Sequence, residues 1–309
     1  MSASPILRLG TRRSPLAMAQ AREARDRLCA VHGWSEETVE LVPVVASGDK
    51  IQDRPLAEIG GKALWTKELD GLLADGDIDA SVHSMKDVET IRPDRFAIAA
   101  ILPRADRRDR LLGALSVTEL RPGAVVGTSA PRRAAQLLHY RPDCNVVPIR
   151  GNVATRLAKL AAGEVDATFL AAAGLERLGE SGVGVALEVE EWLPAPAQGA
   201  IGLECRADDH RTRDLLGAID DERSRHEVLA ERAFLEGLGG TCHSPIAALT
   251  QWKGNTLSLT GSLFSPNGAE RTDGSVRLAG GGVEGARDLA RKMLQRSSPL
   301  ITAHFEGVP

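Results

Sequence analysis

The chain runs to 309 residues, 43% of them hydrophobic and 26% charged, which is enough to bury more than one core. A formal net charge of −4 and an aromatic content of 3% exclude a general polyanion binder and argue against a nucleic-acid partner. No apolar run approaches the roughly 20 residues that span a bilayer, so no membrane partner is expected.

The opening MSASPILRLGTRRSP lacks the continuous apolar stretch of a secretory signal. ILRLGTRRSPLAMAQAREARDRL then reads as a short strand, a turn at Gly10-Thr11 and a helix, with Ser14 as its cap and Pro15 in its first position. IGGKALWTKELD supplies a Gly-Gly turn into a helix, Gly60 and Gly61, with Lys62 at its start; it suits either a simple turn or a lid. LLADGDIDASVHSMKDVET follows as a helix end, a glycine stop and an apolar strand, closing on His83, Ser84, Lys86 and Asp87.

After the charged crossing LPRADRRDR (102–110), GAVVGTSAPRRAAQLLHY repeats the first pattern: strand, Gly127-Thr128, Ser129 as cap, Pro131, helix. KLAAGEVDATFLA (159–171) likewise echoes 72–84. Two correspondences in the same order predict two related α/β domains. Pro-Ala-Pro in LPAPAQGAIGLECRADD reads as a hinge, and AIGLEC as a strand returning to the first sheet. The first lobe is therefore expected at 1–102 with 200–220, and the second at 106–196. Residues 222–309 change character: an amphipathic helix carrying Val228, Leu229, Ala233, Leu235 and Leu238, three strand-like runs parted by KGN and PNG, and a closing helix. They predict a small C-terminal α+β domain.

Arginine recurs where strands hand over to helices: Arg12 and Arg13, Arg132 and Arg133, Arg150 and Arg156. Cations are mildly unfavourable at a helix N-terminus, which itself attracts anions. Their repetition predicts a cleft between two domains that binds several anionic groups through planar guanidinium forks. The His83–Asp87 cluster stands at a strand's carboxyl end, where ligands bind in open α/β sheets. Asp87 suits either an ionised proton carrier or a helix cap, and residue types alone leave both open.

The four cysteines, Cys29, Cys144, Cys205 and Cys242, lie far apart without a C-x-x-C pair. That usage points to a reduced, cytoplasmic compartment, with no disulfide framework and no metal site. Cys242 sits in EGLGGTCHSPI, between glycines and a proline. His243 alone is a weak zinc partner, and no distant imidazole is identified for a Cys–His hydrolase. An accessible sulfur on an adaptable loop suits a covalent tether.

The segments RLGTRRSPLAMAQA, GDKIQDRPLAEIGGKALWTKELD, DASVHSMKDV, VGTSAPRRAAQL, RGNVATRLAKL, LPAPAQGAIGLECR and ERAFLEGLGGTCHSPI together resemble the porphobilinogen deaminase family, in family order over nearly the whole chain. The resemblance implies two lobes like those of periplasmic binding proteins plus a small C-terminal domain, in a cytoplasmic monomer. It implies a dipyrromethane cofactor joined by a thioether to Cys242, and a transferase that condenses four porphobilinogens head to tail, with loss of ammonia, into linear hydroxymethylbilane. Asp87 matches the catalytic aspartate, assisting proton transfer to the departing amine and stabilising the cationic azafulvene. Arg12, Ser14, Lys62, Ser84, Lys86, Thr128, Ser129, Arg132, Arg133, Arg150, Arg156 and Gln198 are the implied cofactor and substrate contacts, with Gly60, Gly61 and Trp65 in the lid. The chain departs from the family pattern at Thr241 and His243 around the cysteine, at Trp65, and at Ala130, where a hydroxyl is lost. A cytosolic two-lobed anion-binding protein without catalysis is the competing reading; it would not require Cys242.

Overall fold

The computed structural model describes residues 5–45, 66–240, 244–278 and 282–305. In chain order the elements begin with β1 (Leu7–Arg12), α1 (Pro15–His32), β2 (Val39–Val44), α2 (Lys67–Asp75), β3 (Ala80–Ser84), β4 (Phe96–Ile101) and β5 (Asp109–Leu112). They continue with β6 (Val125–Gly127), α3 (Pro131–Tyr140), β7 (Asn145–Val147), α4 (Val153–Ala161), β8 (Ala167–Ala171), α5 (Ala172–Arg177) and β9 (Val185–Ala186). The remainder are β10 (Ile201–Arg206), α6 (His210–Gly217), α7 (Glu222–Gly237), β11 (Ile246–Lys253), β12 (Thr256–Phe264), β13 (Arg271–Leu278), α8 (Val283–Arg296) and α9 (Pro299–Thr302).

Described residues up to 105 and those at 199–225 make one compact unit. Its sheet has the order β2-β1-β3-β10-β4, with β1 parallel to β2 and β3, and β10 antiparallel to β3 and β4. The return strand expected from AIGLEC is β10, inserted so that Ile201 pairs with Ser84 and Gly202 with His83. Leu7 and Leu9 of β1, Ala21, Ala24 and Leu28 of α1, and Leu203 and Cys205 of β10 fill the core. The α1 helix starts as its sequence requires: the Ser14 hydroxyl accepts the Ala17 N–H, Pro15 follows, and Gly33 ends the helix at φ 68°.

Residues 106–198 and those from 226 onward make the second compact unit. One of its sheets has the order β7-β6-β8-β5-β9, with β6 parallel to β7 and β8, and β5 antiparallel to β8 and β9. Phe169 of β8 stacks on Trp192 with ring centroids 4.8 Å apart, inside a core of Leu111, Val126, Leu137 and Cys144. The antiparallel sheet β11-β12-β13 packs with α7 and α8 around Phe234, Leu238, Leu259, Leu263 and Met293. Phe234, absent from the sequence-predicted stripe, is fully buried beside Ala233. A smaller apolar cluster, Ala135, Leu193, Ala247, Leu249 and Phe264, joins α3 to β11 and β12. Residues from 226 onward lie in the same compact unit as 106–198 and carry a three-stranded sheet of their own.

Candidate functional site

In the first unit the chain leaves β3 at Ser84 and makes a 3-10 turn, Met85–Asp87. Two contacts hold this turn, one with Ala200 just before β10 and one with Gly202 within it. The Met85 N–H donates to the Ala200 carbonyl at 3.0 Å, and the Met85 side chain is buried against Gly202 so closely that a Cβ there would lie 2.1 Å from its sulfur. Asp87 is half-buried at the carboxyl end of the strand and makes no hydrogen bond or ion pair with any described residue. It caps no helix. Ser84 is half-buried and its hydroxyl is likewise without a described partner. Lys86 is half-buried beside them, and Arg12 ends β1 just before Ser14.

Beside this turn lies an ionic cluster that sequence reasoning missed. Glu204 of β10 is 1% exposed. Its Oε1 accepts Arg92 Nε at 2.9 Å, its Oε2 accepts Arg92 Nη2 at 2.8 Å, and His83 Nε2 lies 3.5 Å from Oε2. Arg92 also reaches Asp70 and Glu89, each at 2.6 Å, and Thr66 at 3.3 Å. Burial opposes ionisation of Glu204, but His83 and Arg92 outweigh it and hold the carboxyl down at about 2. The signal was there: a lone acid inside the apolar strand IGLEC has to find a cation once it is buried.

In the second unit the arginines after Pro131 are not surface groups. Arg132 and Arg133 are 4% and 6% exposed, and both bind Asp109, which is 0% exposed at the start of β5. Burial opposes ionisation of Asp109, yet the two guanidinium groups keep its carboxyl well below the usual range. Gln198 serves the same group, its Nε2 donating to Asp109 at 2.9 Å and to the Arg107 carbonyl at 2.8 Å. Its neighbour Ala197 stands at φ 58°, an uncommon region for a residue with a Cβ, and its N–H donates to buried Glu231.

Ser129 does not cap α3, contrary to the sequence reading. Its hydroxyl donates to the Ile149 carbonyl at 2.8 Å, while the capping position falls to Ala130, which has no side-chain bond to offer. Buried Thr128 accepts the Ala130 N–H at 3.2 Å. Asn152 does cap α4, accepting the Thr155 N–H at 2.9 Å. Gly151 before it adopts φ +111°, and a Cβ there would collide with Thr155, so this turn demands glycine. Arg150 and Arg156 flank the turn half-buried, and Arg156 Nε donates to the Gly151 carbonyl.

Cys29, Cys144 and Cys205 are free thiols, each pushed toward the neutral form by burial, Cys205 up to about 11. Gly60, Gly61, Lys62, Trp65, Thr241, Cys242 and His243 lie outside the described residues. Among the described residues no group of three His, Cys, Asp or Glu side chains is placed to hold a metal ion.

Residues 7–214 match the family model described as porphobilinogen deaminase, dipyromethane cofactor binding domain, and residues 226–295 match its C-terminal domain. A porphobilinogen deaminase of Sphingopyxis alaskensis is 54% identical over 305 residues, covering 97% of this chain and 96% of that one. One from Paracoccus denitrificans is 49% identical over 295 residues, covering 94% of each. Among solved structures, the methionine-binding protein MetQ is similar at a TM-score of 0.42 and 13% identity, over 73% of this chain and 94% of that one.

Proposed function

The chain belongs to the porphobilinogen deaminase family, and from that premise we propose roles for its residues. The protein is a transferase that joins porphobilinogen units, with loss of ammonia, into the linear tetrapyrrole hydroxymethylbilane on a dipyrromethane cofactor. When bound, that cofactor supplies the pyrrole terminus to which the first substrate is joined.

Asp87 is the catalytic residue in this reading, and one observation carries it: its half-buried carboxylate has no described protein partner. A carboxyl group so left can, when protonated, pass its proton to the departing amine and become a carboxylate. It also stands against the positive charge that develops on the pyrrole as the carbon–nitrogen bond breaks. The turn that carries it is fixed by Ala200 and Gly202, so the group is placed before substrate arrives.

Each pyrrole carries an acetate and a propionate, and the donors of both units suit carboxylates. The first unit offers Arg12, Ser14, Ser84 and Lys86; the second offers Thr128, Ser129, Arg132, Arg133, Arg150, Arg156 and Gln198. Within the second unit the fit has a specific sign. Two buried guanidinium groups face one buried carboxylate, and Arg132 Nε is buried without a hydrogen-bond partner. Cys242 is the proposed attachment point, with Lys62, Gly60, Gly61 and Trp65 proposed for substrate contact and closure. The three described thiols are unpaired, which supports a reducing, cytoplasmic setting, and a monomer is proposed on family grounds.

Asp87→Asn is expected to keep the fold and lose turnover by at least ~100-fold, the low end for losing a general acid or base. Near-normal turnover would remove Asp87 from the mechanism. Intact mass checks the attachment: native protein should carry two linked pyrroles, and Cys242→Ser none.

A further inference from the structure

We propose that Glu89 is a positioning residue for the reaction: with Arg92 it forms a clasp that fixes the outgoing end of the turn carrying Asp87. This role rests on the reading of Asp87 as the catalytic residue.

The turn is held at both ends, and both holds lead to the same pair of strands. On its incoming side the Met85 N–H is bonded to the Ala200 carbonyl, and the Met85 side chain fills the space over Gly202. On its outgoing side the chain leaves Asp87 through Val88, which is buried and extended at φ −93° and ψ 135°. From there it reaches β4 without a helix or strand between. Ile91 in this segment is 76% exposed, whereas the Arg92 side chain beside it is 8% exposed. Arg92 is thus where the segment is fastened, and all three of its nitrogens are engaged. Nε and Nη2 donate to the two oxygens of Glu204 at 2.9 and 2.8 Å, Nη2 also donates to Asp70 at 2.6 Å, and Nη1 donates to Glu89 at 2.6 Å. Glu204 stands opposite Ser81 of β3, the strand that delivers the chain to the turn. The path from Asp87 through Glu89 and Arg92 therefore closes back on the β3–β10 pair. Thr66 gives Glu89 a second anchor, its hydroxyl lying 3.2 and 3.1 Å from the two carboxylate oxygens.

Glu89 and Asp70 form a matched pair that separates positioning from stability. Each accepts from Arg92 at 2.6 Å, but Glu89 follows Asp87 by two residues, whereas Asp70 lies on α2. Burial ranks them the other way, the Asp70 side chain being 13% exposed and that of Glu89 25%. Breaking the more buried ion pair costs more stability, so a purely structural cluster makes Asp70 the more important of the two. Positioning makes Glu89 the more important for turnover, because a displacement of about 1 Å at a reacting group can cost about 100-fold in rate.

Truncating each carboxylate in the full, cofactor-loaded chain tests this. Turnover of porphobilinogen is measured per loaded molecule, counted by intact mass, and folding is followed by thermal melting. Glu89→Ala should lower kcat by about ten-fold or more with KM within about two-fold of native, and should lower the melting temperature less than Asp70→Ala does. Asp70→Ala should keep kcat within about three-fold of native, since it leaves the Glu89–Arg92 clasp in place. Hydrogen exchange at the amides of residues 85–89 should rise in Glu89→Ala and stay native in Asp70→Ala. Similar kcat losses in the two variants, the reverse order, a loss carried by KM, or unchanged exchange overturns the assignment. Should either alanine variant fail to fold, Glu89→Asp decides, because it keeps the charge and draws the clasp in by one carbon. Its kcat should fall by more than about three-fold, and a smaller fall overturns the proposal. Near-normal turnover of Asp87→Asn would instead overturn the reading of Asp87, and hydrogen exchange would still show whether Glu89 holds the turn.

Discussion

The strand beside β3 that runs antiparallel to it begins with Ile201 opposite Ser84, whereas its counterpart beside β8 begins with Asp109 opposite Ala171. The helices differ to match. In α1 the residues after the first-turn proline are Leu16 and Ala17; in α3 they are Arg132 and Arg133. The first sheet buries its acid three positions later, at Glu204 opposite Ser81, and answers it with Arg92 from a loop. One guanidinium there meets three carboxylates, those of Asp70, Glu89 and Glu204. In the second sheet two guanidinium groups meet one. The same strand order therefore carries opposite charge excess. Among the described contacts the negative excess lies beside the turn of Asp87, proposed to face the positive charge of the reaction, and the positive excess lies at the helix start proposed to hold carboxylates.

The largest way to break this comparison is to remove the cation from each cluster. Arg92→Met strands a nearly buried Glu204 and Asp70 without a guanidinium, and it should cost about 3–5 kcal/mol, the range for breaking a buried pair. Arg132→Met leaves Asp109 with Arg133, Trp192 and Gln198, a balanced set, and should cost clearly less. Chemical denaturation in the Cys242→Ser background measures both. Equal costs would mean that the two clusters are not opposite in sign.

Much of the frame was legible in the sequence because it is local. Ser14, Pro15, Pro131 and Asn152 announce helix starts within three residues of the groups they serve, and the two Gly-Thr turns repeat the same strand-to-helix change. The clusters were not legible, since Asp109 is 23 and 24 residues from its arginines and Arg92 is 112 from Glu204. No spacing rule links such pairs. The arginines at helix starts were read as awaiting an external anion, and for Arg132 and Arg133 the first anion is Asp109. Ser129 was read as a cap by analogy with Ser14, but it lies one residue too early and turns to the Ile149 carbonyl instead.

Acid sharpens the first half of the comparison. The Glu204 carboxyl titrates at about 2 in the folded protein against an ordinary 4.5. The stability this contributes is fully present above pH 4.5 and is lost as the pH falls through about 2. The shift corresponds to roughly 3 kcal/mol. The stability gap between native protein and Glu204→Gln should thus be constant from neutral pH to about 5 and close steadily below it. A gap that stays constant down to pH 2 would show that Glu204 is not held as an anion by Arg92 and His83.

Gly202 tests whether β10 positions Asp87. The matching place in the second sheet is Arg110, whose long side chain reaches the Ser181 and Gly184 carbonyls. The first sheet has no such room, because the Met85 sulfur fills the space. Gly202→Ala should cost about 1–3 kcal/mol by overpacking. Its turnover should fall further than that loss of folded protein explains, because the Met85 side chain that the Cβ displaces is carried by the turn that holds Asp87. Unchanged turnover per folded molecule would detach Asp87 from β10.

The smallest effect concerns the helix starts themselves. The Ser14 hydroxyl takes an N–H of α1, whereas α3 begins at Ala130 with no side-chain acceptor. Ala130 already has an extended backbone, φ −94° and ψ 114°, the conformation a capping residue uses. Ala130→Ser should therefore add an acceptor without moving the chain and stabilise the protein by about 0.5–1 kcal/mol, while Ser14→Ala should remove a similar amount. The two changes would make the helix starts exchange character while leaving Asp109 and its arginines in place. Loading measured by intact mass should follow the arginines and stay within about two-fold of native in Ala130→Ser. A large loss of loading would show that the bare N–H groups of α3, rather than Arg132, supply the second unit's hold on a carboxylate.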